Sequence, residues 1–259
     1  MFADALPLDL SARRTVSLAE VMVDAPQLTR VDRKYLVGRS TAQTFLDDLP
    51  AAYRVLSIAG RTSTSYRSTY FDTADLASAR AHVQQRRRRW KARSRLYVED
   101  ELCRIEVKAR EGRGVTAKTV SDADAAGYGV LDTEGAEFVR STLASHGLTA
   151  DVVSLRPTME VAYRRTTLAD TTDEQCRLTV DWKVECTLDG ELVWLDHDYV
   201  LVETKGGLRP SHADRLLAGL GARPRSFSKY VAAASLIRHD LPDNDVRRLH
   251  GRELHLESA

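Results

Sequence analysis

The sequence predicts an α+β fold whose body is an antiparallel β-barrel with a charged interior and helices packed outside. Two observations carry that reading. Six stretches alternate polar and apolar residues in the strand period, and on most of them the polar phase is crowded with Arg, Lys, Asp and Glu. The richest places Gln85, Arg87, Arg89, Lys91, Arg93, Arg95 and Tyr97 on one side, with Trp90, Ala92, Ser94 and Leu96 on the other. A single such strand would suit an ordinary wetted sheet. The pattern returns, however, in Arg30, Asp32, Lys34; in Arg104, Glu106, Lys108, Arg110; in Tyr163, Arg165; in Arg177, Thr179, Asp181, Lys183; and in Glu203, Lys205. A sheet closed around its charged face explains all of them together.

The elements follow in order. Residues 1–27 mix charge, Pro26 and short apolar pieces, which predicts an N-terminal arm or short helix outside the main body. Leu28 to Val37 reads as a strand, and Ser40 or Thr41 can cap a helix that Pro50 stops. Another strand ends at Ser68 to Phe71, and Asp72 or Thr73 caps a helical turn through Arg80. Gln84 to Val98 and Leu102 to Arg110 form an antiparallel pair, and Glu111 to Gly114 turn the chain into a strand over Val115 to Val120. Between about Asp122 and Leu155 the period becomes helical, with Phe138, Val139, Leu143 and Leu148 as the buried side. Strands resume at Thr158 to Leu168, Cys176 to Leu188 and Glu191 to Lys205, the last two joined by an Asp189-Gly190 turn. Helices over Ser211 to Leu220 and Ser228 to Arg238 precede a polar tail, residues 240–259. One domain over 28–239 accommodates all the strands.

Composition narrows the function. Of 259 residues, 43% are hydrophobic and 29% charged, yet the net charge is only +1, so polyanion recognition must come from local clusters of cations. Cys103, Cys176 and Cys186 read as buried thiols of a reducing compartment, and no run approaches the ~20 apolar residues of a membrane helix; a cytoplasmic protein without membrane insertion is expected. There is no GxxxxGK[ST] loop, no HExxH and no nucleophile elbow. Aromatic residues, 7% of the chain, offer few platforms for bases, so nucleic acid is not expected as a ligand. Cations and a few carboxylates remain, and they suit phosphoryl transfer, in which the protein positions phosphates, balances their charge and holds a divalent metal.

Eight short motifs then occur in a telling order: Arg30-Val31-Asp32-Arg33-Lys34, Ser68-Thr69-Tyr70-Phe71-Asp72-Thr73, Lys91 to Tyr97, Ile105-Glu106-Val107-Lys108, Tyr163-Arg164-Arg165, Arg177 to Asp181, Val202-Glu203-Thr204-Lys205 and Ser226-Phe227-Ser228-Lys229-Tyr230. In this order, over about residues 28 to 238, the chain resembles the VTC domain, the polyphosphate polymerase domain of the triphosphate tunnel metalloenzymes. The resemblance implies a roughly eight-stranded antiparallel tunnel in which the γ-phosphate of ATP passes to a growing inorganic polyphosphate chain, with Mn2+ or Mg2+ as cofactor. Carried over by motif, Lys34, Arg93, Arg95, Lys108, Arg165, Arg177 and Lys229 would grip phosphates as catalytic residues. Tyr163, Ser228, Arg225 and Lys118 would add phosphate contacts, and Glu203 would hold the metal. Asp32 stands where many such sequences carry Glu. Asp181 and Glu106 are expected to pair with interior cations. Hydrolysis of a triphosphate or polyphosphate, and polyphosphate binding without turnover, stay open as alternatives.

Overall fold

The computed structural model describes residues 7–23, 31–111, 116–171, 176–244 and 246–257. These fall into two compact units that interleave along the sequence. The first comprises Met1–Thr64, Arg164–Lys183 and Leu195–Phe227; the second comprises Ser65–Tyr163, Val184–Trp194 and Ser228–Ala259.

In the first unit, β1 (Thr15–Ser17) pairs in parallel with β3 (Tyr53–Ser57), so part of the N-terminal arm is held in a sheet. β2 (Val31–Gly38) runs antiparallel to β11 (Tyr199–Gly206), which also pairs with the first half of β9 (Arg177–Leu188). Alternation sorts their side chains: Tyr35, Val37, Leu178, Val180, Trp182, Val200 and Val202 form one core with Phe45 and Leu46 of α2 (Arg39–Asp48) and Leu217 of α5 (His212–Gly219). Full burial of a side chain the size of Phe45 contributes ~1.5–3 kcal/mol. Buried Asp214 ties helix to sheet. Its carboxylate accepts from Tyr35 Oη (2.8 Å) and Thr204 Oγ1 (2.6 Å) and completes a capping box with Ser211.

In the second unit, β4 (Thr64–Asp72, from Ser65 onward), β5 (Arg89–Tyr97), β6 (Leu102–Arg110) and β7 (Thr116–Ala123) pair antiparallel in sequence order. Their apolar phase, with Phe71, Ala92, Ile105, Val107 and Ala109, packs against Val139 and Leu143 of α4 (Thr133–Ser145). Gly135 permits that approach, since a Cβ there would stand 2.4 Å from Ile105 Cδ1. α3 (Ala77–Val83) is capped from upstream, where Asp72 accepts from the backbone of Ser78 and Ala79 and Thr73 from that of Ala77. The second half of β9 pairs with β10 (Glu191–Leu195) across the Asp189-Gly190 turn, where both residues have positive φ, as a tight hairpin requires. α6 (Lys229–Ile237) is largely buried, and the C-terminal segment carries β12 (Leu254–Glu257), with Leu241, Val246, Leu249 and Leu254 in the interior. The boundary between the units falls inside β9 and inside β8 (Arg156–Asp170), whose second half pairs with β3.

The described residues form an antiparallel α+β fold with twelve strands, against the roughly eight expected, and no pairing among them closes a barrel. Part of the excess comes from one expected strand, Glu191 to Lys205. It is broken at residues 196–198, where Asp196 accepts from the backbone of Asp198 and Tyr199, a turn that competes with the ladder. The strand expected from Gln84 begins only at Arg89, because the end of α3 and the left-handed Gln85 precede it. Phe138, expected in the buried row of α4, is only partly buried. Arg30, the strand start at Leu28 and the turn over residues 112–114 lie outside the described residues.

Candidate functional site

Each unit carries a charged sheet face opposite its core. In the second unit the registers Arg93↔Glu106, Lys91↔Lys108 and Arg89↔Arg110, continued by Lys108↔Lys118, place the polar phases of β5, β6 and β7 on one surface. β5 contributes Arg89, Lys91, Arg93 and Arg95; β6 adds Arg104, Lys108 and Arg110; β7 adds Lys118. Against these eight cations that surface carries two carboxylates, Glu106 and Asp122.

Glu106 is the hub. Its carboxylate, 1% exposed, accepts from Arg93 Nε at 2.8 Å and Lys118 Nζ at 2.6 Å, with Arg95 at 3.9 Å. Burial would raise its pKa, but Arg93, then Arg95 and Lys118, outweigh burial and hold the carboxyl well below the ordinary range. Burial likewise lowers the pKa of Lys118, with Glu106 opposing. Arg93 also donates to Tyr70 Oη at 2.8 Å and lies over its ring. Buried Arg95 lies over Tyr66, which stacks on Tyr163 with ring centres 5.1 Å apart. Lys229 Nζ sits 4.0 Å from the centre of the Tyr163 ring. Ser228, the N-cap residue of α6, does not cap its helix; its hydroxyl accepts from Lys91 Nζ at 3.2 Å. Arg93, Arg95 and Lys118 therefore gather on Glu106, Lys229 joins Arg95 at the Tyr66–Tyr163 stack, Ser228 is held by Lys91, and Lys108 stands in register between Lys91 and Lys118.

The first unit repeats the theme with a different balance. Lys34, Glu203 and Thr179 align across β2, β11 and β9, as do Asp32, Lys205 and Arg177 one step along. Glu203 makes salt bridges to Lys34 (3.6 Å), Arg165 (3.8 Å) and Lys205 (4.0 Å). Arg165 is held by Asp181 in a two-point contact at 2.6 and 2.8 Å. Burial lowers the pKa of Lys205, with Glu203 opposing. Lys34, Arg165, Arg177 and Glu203 are brought together here. Arg225 joins through its backbone, which donates to the carbonyl of Lys34 at 2.8 Å, while its side chain is exposed.

The motif reading named neither Lys91 nor Lys205 as a site residue, although their alternation with Arg93 and Glu203 was visible. Glu106 and Asp181 do pair with cations. Among the described residues no three His, Cys, Asp or Glu side chains converge as a metal centre. Single carboxylates remain as donors. That suits Mg2+ or Mn2+, hard ions commonly held by one or two carboxylates together with phosphate oxygens and water.

The chain matches the VTC domain model over residues 29–238. It is also similar to a solved putative adenylate cyclase from Bacillus halodurans, at 14% identity and a TM-score of 0.45, covering 78% of this chain and 94% of that one. A putative adenylyl cyclase from Hippeastrum, described as having a dominant triphosphatase activity, is 16% identical with a TM-score of 0.46, covering 82% and 97%. No curated protein matches. By its motifs and by the match over 29–238, the chain belongs to the VTC domain family.

Proposed function

We propose that this protein is a polyphosphate polymerase of the cytoplasm, moving the γ-phosphate of ATP onto a growing inorganic polyphosphate chain. The observation that carries the proposal is the second unit's face, where eight cations meet two carboxylates. Such an excess of buried and half-buried charge calls for a polyanion, since close cations at an effective dielectric near ~20 repel by several kcal/mol. Tunnel closure, as the resemblance implies, belongs to the same proposal.

A terminal phosphate oxygen of the acceptor attacks the γ-phosphorus in line, the bond to the β-phosphate oxygen breaks, and ADP leaves with that electron pair. The acceptor oxygen is already anionic, so no general base is needed. Glu106, held ionised by three cations, is a weak base and serves charge balance. Arg93, Arg95, Lys108, Lys118 and Lys229 grip and neutralise phosphates in the second unit; Lys34, Arg165, Arg177 and Arg225 do so in the first. Tyr163 and Ser228 fix their neighbours Lys229 and Lys91. Glu203 would hold the divalent metal, Mn2+ or Mg2+, which when bound would supply Lewis-acid stabilisation of charge on the transferring phosphoryl group.

The test incubates purified protein with ATP and either metal, then resolves polyphosphate, ADP and free phosphate together. Chain growth with matching ADP is expected. Free phosphate without polymer would replace the reading with hydrolysis, and metal-independent polyphosphate binding without either product would leave a receptor.

A further inference from the structure

The charged ladder of β5 and β6 ends in an arrangement that the phosphate-gripping motifs do not use. Arg89 and Arg110 stand directly opposite in the register, cation against cation. Among the described residues neither has a carboxylate partner, and the buried Nε of Arg110 has no hydrogen-bond acceptor. Burial, then the charge of Arg110, lowers the pKa of Arg89. The nearest acid in sequence, Glu111, is engaged by His146 at 2.6 Å.

The chain leading into Arg89 adds to the imbalance. Arg86, Arg87 and Arg88 are exposed, and the turn that presents them is fixed by two contacts: Arg86 N–H donates to the Ala81 carbonyl at 2.9 Å, and the Arg89 guanidinium donates through Nη1 to the Arg86 carbonyl at 2.5 Å. Among the described residues no carboxylate pairs with these three guanidiniums. Nearby His82 reports the field. Its pKa is brought down to about 3, first by burial and then by Lys91, with Arg89 and Arg110 adding to it, while Ser78 O opposes. Like charges directly opposite on neighbouring strands destabilise a sheet unless something stands between them.

We infer that the Arg89–Arg110 pair and the Arg86–Arg88 turn form an outer subsite for long linear polyphosphate, engaging chain that runs on past the gripping residues. This rests on the proposed function above, which supplies the ligand class. It adds a dependence on chain length: tripolyphosphate is too short to reach both the gripping residues and the turn, whereas a chain of many tens of phosphates spans them.

The test measures binding of tripolyphosphate and of long polyphosphate to the full chain across a range of salt. Three variants are compared with wild type: Arg87→Ser/Arg88→Ser, Arg89→Gln and Arg110→Gln. Exposed substitutions of the first kind change stability by ~0.5 kcal/mol or less, so folding is preserved. Long-chain affinity should fall at least tenfold in the double variant with tripolyphosphate affinity unchanged. Its salt slope should shrink by about 1.4, taking ~0.7 per lost contact as for single-stranded polyanions. Arg110→Gln should leave thermal stability unchanged or raised while weakening long-chain binding, opposite signs that a structural role would not give. Unchanged long-chain binding in the variants, with tripolyphosphate still bound by wild type, would overturn this inference alone. So would single-stranded DNA of equal charge displacing long polyphosphate equally well from the wild type. Failure of wild type to bind either phosphate would overturn the proposed function with it.

Discussion

The two charged faces share a construction and differ in balance. On the second unit's face eight cations share two carboxylates, and Glu106 is held by three cations within 2.5–3.9 Å. On the first unit's face Lys34, Arg165, Arg177 and Lys205 meet Asp32, Asp181 and Glu203, and the cations stand farther from Glu203, at 3.6–4.0 Å. One face is short of negative charge and, under the proposed function, would draw phosphate; the other is near neutrality and would tolerate a metal cation brought with phosphate. The difference teaches that a carboxylate among arginines can be a structural counter-ion in one place and a candidate ligand in another, with distance and company deciding.

The largest effect is expected at the second face. Arg93→Ala removes a cation that touches both Glu106 and Tyr70, and chain growth should fall ~100-fold or more, as for the loss of one fixed electrostatic stabiliser. Activity within threefold of wild type would break the assignment. Next, Glu106→Gln should cost ~3–5 kcal/mol in urea unfolding, because it leaves buried cations uncompensated. Added tripolyphosphate should restore part of that loss, and no restoration would deny that phosphate replaces the missing charge. Glu203→Gln should cost less, about 1–2 kcal/mol, while abolishing metal-dependent turnover. Equal losses of stability in the two variants would erase the contrast between the faces.

A smaller effect concerns acid. The folded pKa of Glu106 lies below its unfolded value of ~4.3, so its contribution to stability is complete above that pH and is lost as the pH falls toward the folded value. Wild type should therefore lose stability on acidification more steeply than Glu106→Gln, as followed by unfolding at a series of pH values. The smallest is proton uptake. Lys118 and Lys205 are lowered mainly by burial, and an arriving polyanion raises both, so calorimetry in buffers of differing ionisation enthalpy should detect protons taken up on binding at alkaline pH.

Much of this was legible because a strand shows its faces through a period of two. The register of β5 on β6 keeps Arg93 beside Glu106 because both strands alternate without interruption, and Trp90 and Trp182 lie on the apolar side for the same reason. Ser211 announced α5, and Asp72 and Thr73 announced α3. What stayed hidden depends on partners distant in sequence. β1 and β3 are short and gain order from each other, β12 lies in a tail whose polarity masked four interior side chains, and the break at Asp196 is a local hydrogen bond inside a stretch that alternates plausibly throughout. The hub role of Glu106 required knowing that β7 brings Lys118 diagonally to it. The Arg89–Arg110 pair was invisible for a related reason, since alternation places each on a face but only the register sets one against the other.

The interleaving of the units also governs how the chain acquires its structure. Each is assembled from three separated stretches, and β8 and β9 contribute to both, so neither exists as a contiguous piece of sequence. During synthesis the first unit lacks β11 until nearly four-fifths of the chain has emerged, and the second awaits α6. Pairings so distant in sequence fold slowly and expose strand edges while they wait. Expression of either half alone would yield an incomplete sheet, and the nascent polypeptide keeps unpaired strand edges until the distant partners of its strands are made.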